Sequence, residues 1–223
     1  MKRLHVILVA ACLCLTIGVV AHAQMGMDFF KRPAISNIFH PVVGAGSVYE
    51  TTYSRQSSRG AAETTEMLVV GREMADGKDA YWLEFGHQEK GQQGTAYSKV
   101  LISKDDFQMH RIIFEMPGQP AMEMKMDMSR EEHQKMGDEM SKWSQVGTET
   151  ITVPAGTFVC QHWKKSDGKS EIWASDKISP FGMVKEIEPN QTQVLVKVIT
   201  DAKDHITGPV VPFDPKAFGR QKQ

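Results

Sequence analysis

Between Gly46 and Thr200 the sequence alternates short runs rich in Val, Ile, Thr, Tyr and Trp with Gly, Asp, Asn and Pro. Runs of this length, bounded by turn residues, are typical of β-strands. The dipeptides Asp76-Gly77 and Asp167-Gly168 favour tight hairpin turns between neighbouring runs. The pattern predicts a mainly β fold, built as a curved antiparallel sheet or half-barrel meander. The predicted strands are Ser47–Arg55, Thr64–Arg72, Asp79–Gly86, Thr95–Ser103, Phe107–Glu115, Ala121–Met128, Gly147–Val153, Thr157–Lys164, Ser170–Ala174, Gly182–Glu188 and Thr192–Thr200.

One segment has a different periodicity. Ser129 is a suitable N-cap, and the acidic residues that follow it favour the first turn of a helix. Met136, Met140 and Trp143 then recur at helical spacing. We therefore predict one helix near residues 129–143, which makes the fold class α+β with a dominant sheet.

The segment from Ala121 to Met128 alternates methionine with charged residues. In a strand, alternate side chains point to opposite faces, so the methionines share one face and the charges share the other. A slip of one residue would bury the charges, which defines the register. The methionine face is the predicted ligand-binding site, formed by Met122, Met124, Met126 and Met128.

Three interpretations of this methionine face remain open. Methionine is flexible and fills irregular gaps, so the face could belong to an ordinary core. The same flexibility suits a surface that accepts a lipid or another apolar ligand. Thioethers also bind Cu(I), and His133, Met136 and Met140 follow closely in the sequence.

The N-terminus has the pattern of an export signal. Lys2 and Arg3 precede an apolar run from Leu4 to Val20, and the small residues of Ala21-His22-Ala23 precede Gln24. This arrangement predicts a signal peptide over residues 1–23, and a periplasmic or extracellular location. A transmembrane anchor needs about 20 apolar residues, and this run is shorter.

The N-terminal stretch also contains the pattern of a second processing route. Val9-Ala10-Ala11-Cys12 resembles a lipobox, in which Cys12 would carry lipid, although the apolar run continues beyond it.

We divide the chain after the signal into an arm over 24–45, a β-rich domain over 46–207 and an extended tail over 208–223. The tail contains Pro209, Pro212 and Pro215, which favour an extended strap over the surface.

Charge and cysteine content exclude several classes. Without residues 1–23 the chain keeps 24 basic against 27 acidic residues, a net charge of −3. A nucleic-acid partner is therefore not predicted, because such surfaces are strongly basic. Only Cys160 would remain, so no internal disulfide can form and the core alone must hold the fold.

Few residues have the spacing of a catalytic site. Cys160 and His162 are two apart in a predicted strand, so they share a face and could form a nucleophilic or metal-binding pair. No third orienting residue accompanies them, and a same-strand spacing of two arises easily by chance, so a satisfied, semi-buried pair is the favoured interpretation. The sequence lacks a Gly-x-Ser-x-Gly elbow, a phosphate loop and a dinucleotide fingerprint. Neither an enzyme, a resident metal nor a cofactor is predicted.

The segment Gly147–Lys185 resembles a group of secreted bacterial domains of unknown function. The resemblance rests on the Val-Pro-Ala-Gly-Thr-Phe turn at 153–158, the tryptophan strand around Trp173 and the Pro-x-Gly-x-Val-Lys segment at 180–185. This group is similar, more distantly, to the periplasmic lipoprotein-carrier superfamily of the LolA and LolB type. The resemblance implies a curved antiparallel sheet closed by helices over an apolar cavity.

These observations predict a non-catalytic, exported protein of the cell envelope that binds a lipid or another apolar ligand on its methionine face. Two alternatives stay open. One is a structural or interaction module whose exposed strand edge or C-terminal strap binds an envelope protein. The other is a protein that binds Cu(I). The oligomeric state does not follow from the sequence.

Overall fold

The structure is a computed structural model and describes residues 39–54, 63–88, 94–125, 138 and 141–213. Within these ranges the chain is almost entirely strand and turn. The strands are β1 (Gly46–Tyr53), β2 (Glu63–Ala75), β3 (Lys78–Gln88), β4 (Ala96–Ser103), β5 (Met109–Glu115), β6 (Ala121–Lys125), β7 (Trp143–Val153), β8 (Gly156–Lys165), β9 (Glu171–Ala174), β10 (Met183–Glu188), β11 (Gln191–Ile199) and β12 (Val210–Pro212).

All of these strands belong to one sheet, in the order β12-β6-β5-β4-β3-β2-β1-β11-β10-β9-β8-β7. Consecutive strands form two antiparallel meanders, β1–β6 and β7–β11. The meanders are joined where β1 pairs with β11, which places Gly46 opposite Ile199. β12 pairs with β6 and is parallel to it. The sheet is curved but not closed, and β7 and β12 are its two edges.

Irregular pairing accompanies this curvature. An extra residue in one strand of a pair bends the strand and increases its twist. The strand pairings shift register at Val48/Tyr49, Val69/Gly71, Leu101/Ile102, Gln145/Gly147 and Met183/Lys185. These irregularities occur in both meanders, and they allow a sheet of this width to curve around one main core.

The main hydrophobic core joins both meanders. Tyr49 and Leu195 are fully buried where the meanders meet, and Phe181 closes the core from the loop before β10. Phe39, which precedes β1, stacks on Phe181 at 5.3 Å between ring centroids. The Tyr49 hydroxyl donates a hydrogen bond to the Met183 carbonyl at 3.0 Å.

The β7–β8 hairpin contains the turn of the Val-Pro-Ala-Gly-Thr-Phe segment. β7 ends at Val153 and β8 begins at Gly156, whose φ of 137° is unfavourable for a side chain. Pro154 occupies the turn, where no ladder donor is needed. The Ala155 amide donates to the Leu195 carbonyl at 3.4 Å, which ties the turn to β11. In this structure the segment therefore has a structural role, as the turn that joins β7 to β8 and contacts β11.

The structure confirms a mainly β fold with a curved sheet, and it adds or changes several details. The helix expected near 129–143 is not confirmed, because most of it lies outside the described residues. Its last expected residue, Trp143, instead begins β7, where it pairs opposite Lys165. Within the expected tail, residues 210–212 form β12. Both changes result from pairing with another strand, β8 for Trp143 and β6 for residues 210–212. A local sequence pattern does not reveal such pairing.

Candidate functional site

β6 places Met122 and Met124 on one face of the sheet. Met122 lies opposite Phe114, and Met124 lies opposite Ile112. Ile112 in turn lies opposite Val100, a residue of the main core. Met122 is 8% exposed, whereas Met124, Ile112 and Phe114 are half-buried. The two methionines therefore extend the core face towards the edge of the sheet, in an apolar strip made of Ile112, Phe114, Met122 and Met124.

The opposite face of β6 carries charge, as the alternation requires. The Arg111 Nε donates to Glu123 Oε1 at 2.5 Å, and Lys125 is exposed. Met126 and Met128 lie outside the described residues. Between Ala121 and Lys125 the structure thus has the alternating strand that the sequence predicts, while the role of the methionines in ligand binding stays a prediction.

Neither of two shallow hollows in the described part of the chain is lined by these methionines. One, of about 240 Å³, lies beside the β10–β11 hairpin between Thr52 and Gln191. The other, of about 150 Å³, lies between Glu66 and Tyr97 on the face opposite the apolar strip. With three of its four side chains half-buried, the strip is a partly covered surface.

A buried histidine in β8 is held between two carboxylates. His162 Nδ1 lies 2.7 Å from Glu149 Oε1, and its Nε2 lies 2.7 Å from Glu171 Oε2. The ring stacks on Trp173 at 4.3 Å, and the Trp173 indole N–H donates to Glu149 at 3.0 Å. We call these four residues the His162 clamp. A neutral imidazole has only one N–H, so two ionised carboxylates at this distance require the doubly protonated ring.

The electrostatics of the clamp favour ionised carboxylates. The hydrogen bond from Trp173, followed by that from His162, lowers the pKa of Glu149. Burial raises the pKa of Glu171, but hydrogen bonds from His162 and Lys164 outweigh it and lower the pKa overall. The clamp therefore ties β7, β8 and β9 together through one imidazole ring that lies 2.7 Å from each of two carboxylates.

Cys160 is not activated by this histidine. Its thiol contacts the Phe158 carbonyl at 3.6 Å, while both ring nitrogens of His162 face carboxylates. Burial, and secondarily the charge of Glu149, raises the pKa of the thiol to about 11. A nucleophilic cysteine needs the opposite shift, because the thiolate is the reactive form. The Cys160–His162 pair is thus a structural pair in this fold.

We expect Cys160 to resist alkylation in the folded protein. Iodoacetamide at pH 8 should modify it only after urea unfolds the chain, because the residue is 0% exposed and its thiolate is strongly disfavoured. Mass spectrometry of the intact protein would follow the added mass. Rapid modification without urea would contradict the structural role.

A second arrangement, which the sequence did not reveal, resembles a catalytic triad. Ser103 Oγ lies 2.7 Å from His110 Nε2, and His110 Nδ1 lies 3.2 Å from Asp76 Oδ2. Serine, histidine and carboxylate in this order form the hydrolase triad. Here, however, Ser103 is 0% exposed, and the side chain of Asp76 is 86% exposed on a turn. No substrate carbonyl can reach the hydroxyl in this conformation.

We expect Ser103 to be unreactive towards a fluorophosphonate probe. The probe needs direct access to the serine oxygen, which the fold closes. Intact-mass measurement of the folded protein should show no adduct, with a Ser103→Ala variant as the control. An adduct that disappears in that variant would establish a hydrolase and refute this assignment.

Sequence reasoning identified Cys160 and His162 but missed their partners. Counting back from the two-residue turn places Glu149 opposite Cys160, as the structure has it, so the hairpin register could have revealed it. No comparable signal links Ser103 to Asp76, because a separate hairpin supplies each residue. Among the described residues, no group of three or more His, Cys, Asp or Glu is arranged to hold a metal ion.

The fold and these clusters define a curved, open β-sheet protein in which Cys160, His162 and Ser103 are buried. No helix in the described ranges is long and apolar enough to cross a bilayer. No family model and no curated protein sequence matches the chain. The resemblance to the Val-Pro-Ala-Gly-Thr-Phe group and to the LolA and LolB carriers therefore gains no support and stays a prediction.

Two bacterial proteins are among the solved structures that are similar to this chain. One is described as a candidate lipoprotein of Parabacteroides distasonis, with a TM-score of 0.39 and 12% identity over 72% of this chain and 98% of that one. The other is described as a candidate exported protein of Bacteroides fragilis with a YmcC-like fold, with a TM-score of 0.38, 12% identity and the same coverage. Similarity at this level carries no argument about function.

Proposed function

We propose that this chain is a non-catalytic, exported protein of the cell envelope that binds a lipid or another apolar ligand. The N-terminal signal pattern supports export. The observation that carries the binding proposal is the apolar strip, which continues the core face towards the sheet edge through buried Met122 and three half-buried side chains. Flexible methionines at its rim can re-pack around acyl chains of different shape.

The proposal predicts saturable binding of an apolar probe to the strip. The mature protein should enhance the fluorescence of N-phenyl-1-naphthylamine, and Met124→Lys should weaken binding by at least about tenfold, because a charge in an apolar site is poorly solvated. Met74→Lys is the matched control, since Met74 is an exposed methionine at the far end of β2. No saturable signal, or equal losses in both variants, would refute the proposal.

Export and processing are tested on the protein isolated from its native envelope. Mass spectrometry should find a mature N-terminus at Gln24 and an extractable lipid. A diacylated N-terminus at Cys12 would replace the signal-peptidase route by lipidation, and a chain beginning at Met1 would refute export.

An interaction module is the second candidate, and the edge strand β7 favours it. β7 has 11 residues, and all side chains from Ser144 to Thr150 are exposed. In antiparallel pairing, alternate residues turn their N–H and C=O groups away from the partner, and no described strand pairs with this side of β7. An extended segment of an envelope protein could add here as a further strand.

Paired substitutions at Thr150 distinguish strand addition from side-chain contact. Thr150→Pro removes a backbone donor, whereas Thr150→Val keeps both the donor and the β-branched shape. A partner that adds to β7 should co-purify in stoichiometric amount with the wild type and with Thr150→Val but not with Thr150→Pro. Retention of the partner by both folded variants would exclude this edge.

A further inference from the structure

The segment after β11 crosses the outer face of the sheet. It leaves β11 at Ile199, and Val210 begins β12 at the opposite side of the first meander. Seven neighbouring-strand steps separate β11 from β12. We call residues 200–213, which make this crossing and end just after β12, the strap.

A buried carboxylate holds the middle of the strap. Glu84 in β3 is 0% exposed and accepts hydrogen bonds from the backbone amides of His205, at 3.1 Å, and of Ile206, at 3.4 Å. His205 Nδ1 lies 2.6 Å from the same carboxylate. Burial raises the pKa of Glu84 against the lowering effect of the His205 hydrogen bonds. Removing the ionised Glu84 carboxylate from water under the strap costs free energy. This desolvation penalty cancels part of the stabilisation that its hydrogen bonds to the strap provide.

A buried ammonium group completes the attachment. Lys99 in β4 is 8% exposed and donates to Asp204 Oδ2 at 2.5 Å and to the Ile206 carbonyl at 3.2 Å. Lys99 also lies directly opposite Glu84 in the sheet. Two adjacent charges therefore hold the backbone of Ile206 by its amide and its carbonyl.

The strap buries little apolar surface. Of residues 200–213, all of which are described, Ile206 is the one buried side chain. It forms a small cluster with Ile113 and Ala121, separate from the main core. Segments with few buried apolar contacts open locally at lower free energy than the core.

We propose that the strap opens and closes as one unit, with Glu84 and Lys99 as its latch. Opening lifts Ile206 from its cluster and also withdraws β12 from β6, because β12 has only three residues and begins four positions after Ile206. The opened state uncovers the edge of β6 and the outer surface around Ile113 and Ala121. The rest of the sheet stays folded, because the main core lies on the other face. Opening also takes Phe213 away from Phe114 of the apolar strip, which its ring meets edge-on at 5.7 Å between centroids, but the movement itself does not require a bound ligand.

Hydrogen exchange of the full mature chain tests the proposal. Amides of 203–213 and of 121–125 should exchange through a shared opening that is faster than exchange in β2 and β3. Lys99→Met keeps the buried length but removes both donated bonds, so it should accelerate exchange in both segments by on the order of tenfold or more. Lys104→Met, on an exposed turn, is the matched control and should change neither segment.

The result that would overturn the proposal is equally specific. Strap amides that exchange only with β2 and β3, through global unfolding, would show that the strap is part of the core. If Lys99→Met fails to fold, Asp204→Asn replaces it, because Asp204 is the partly exposed partner in the latch. Acceleration by Asp204→Asn must then be confined to 203–213 and 121–125, and uniform acceleration would refute the opening as a unit.

Discussion

Gly46→Ala is expected to lower the free energy of unfolding by about 2–3 kcal/mol. An added Cβ at Gly46 would lie 2.5 Å from Leu68 Cδ2 and 2.6 Å from the Met67 carbonyl oxygen. The carbonyl belongs to the neighbouring strand and cannot rotate away. Since Gly46 pairs with both β2 and β11, the strain falls on the seam between the two meanders. A urea titration followed by circular dichroism measures the loss.

Gly147→Ala is the matched control for this prediction. Gly147 is also a strand glycine, but an added Cβ there meets nothing within 4 Å. Its replacement should leave stability unchanged or slightly raised, because alanine restricts the unfolded chain. Equal urea midpoints for the two variants would mean that β1 and β2 are farther apart at Gly46 than the structure has them.

His162→Ala is expected to cost about 3 kcal/mol of stability. The substitution removes a buried ring from its stack on Trp173, and it removes the hydrogen-bond partner that the two carboxylates share. His40→Ala is the control, because His40 is an exposed histidine before β1. Thermal unfolding at neutral pH compares the three proteins. Equal melting temperatures for His162→Ala and the wild type would refute the clamp.

The clamp also predicts the acid behaviour of the protein. The pKa values of Glu149 and Glu171 are lowered in the folded state, so their contribution is present above the ordinary carboxyl range. It is lost as the pH falls through their folded values, where both become protonated. The wild type should therefore lose stability more steeply than His162→Ala on acidification below about pH 4.5. Parallel pH profiles of the two proteins would contradict this account.

Local patterns predicted most of the strands because they depend on near neighbours. The run from Asp79 to Gly86 and the observed β3 differ only at their ends, and the alternation at Met122, Glu123 and Met124 appears in the structure. The same reasoning extended a helix to Trp143, where pairing with Lys165 instead forms a strand. The periodicity of a segment does not show which distant segment will pair with it, and here the partner of Trp143 lies on the next strand of the hairpin.

The candidate sites show the same division. The hairpin register brings Glu149 opposite Cys160, so counting along the sequence could have identified that pair. Asp76, Ser103 and His110 come from two hairpins, and Glu84 meets His205 across 121 positions of sequence. These contacts depend on strand order, and many orders are compatible with one set of strands.

By itself, the sequence determined the β-rich class, most strand positions and the alternation of Met122, Glu123 and Met124, because each depends on residues close together in the chain. Tertiary structure alone decided the pairing of β1 with β11, the parallel β12, the burial of Ser103 and the path of the strap. Each of these depends on surfaces that exist only after the sheet has curved around its core. Burial and strand pairing belong to the whole fold, and local sequence does not contain them.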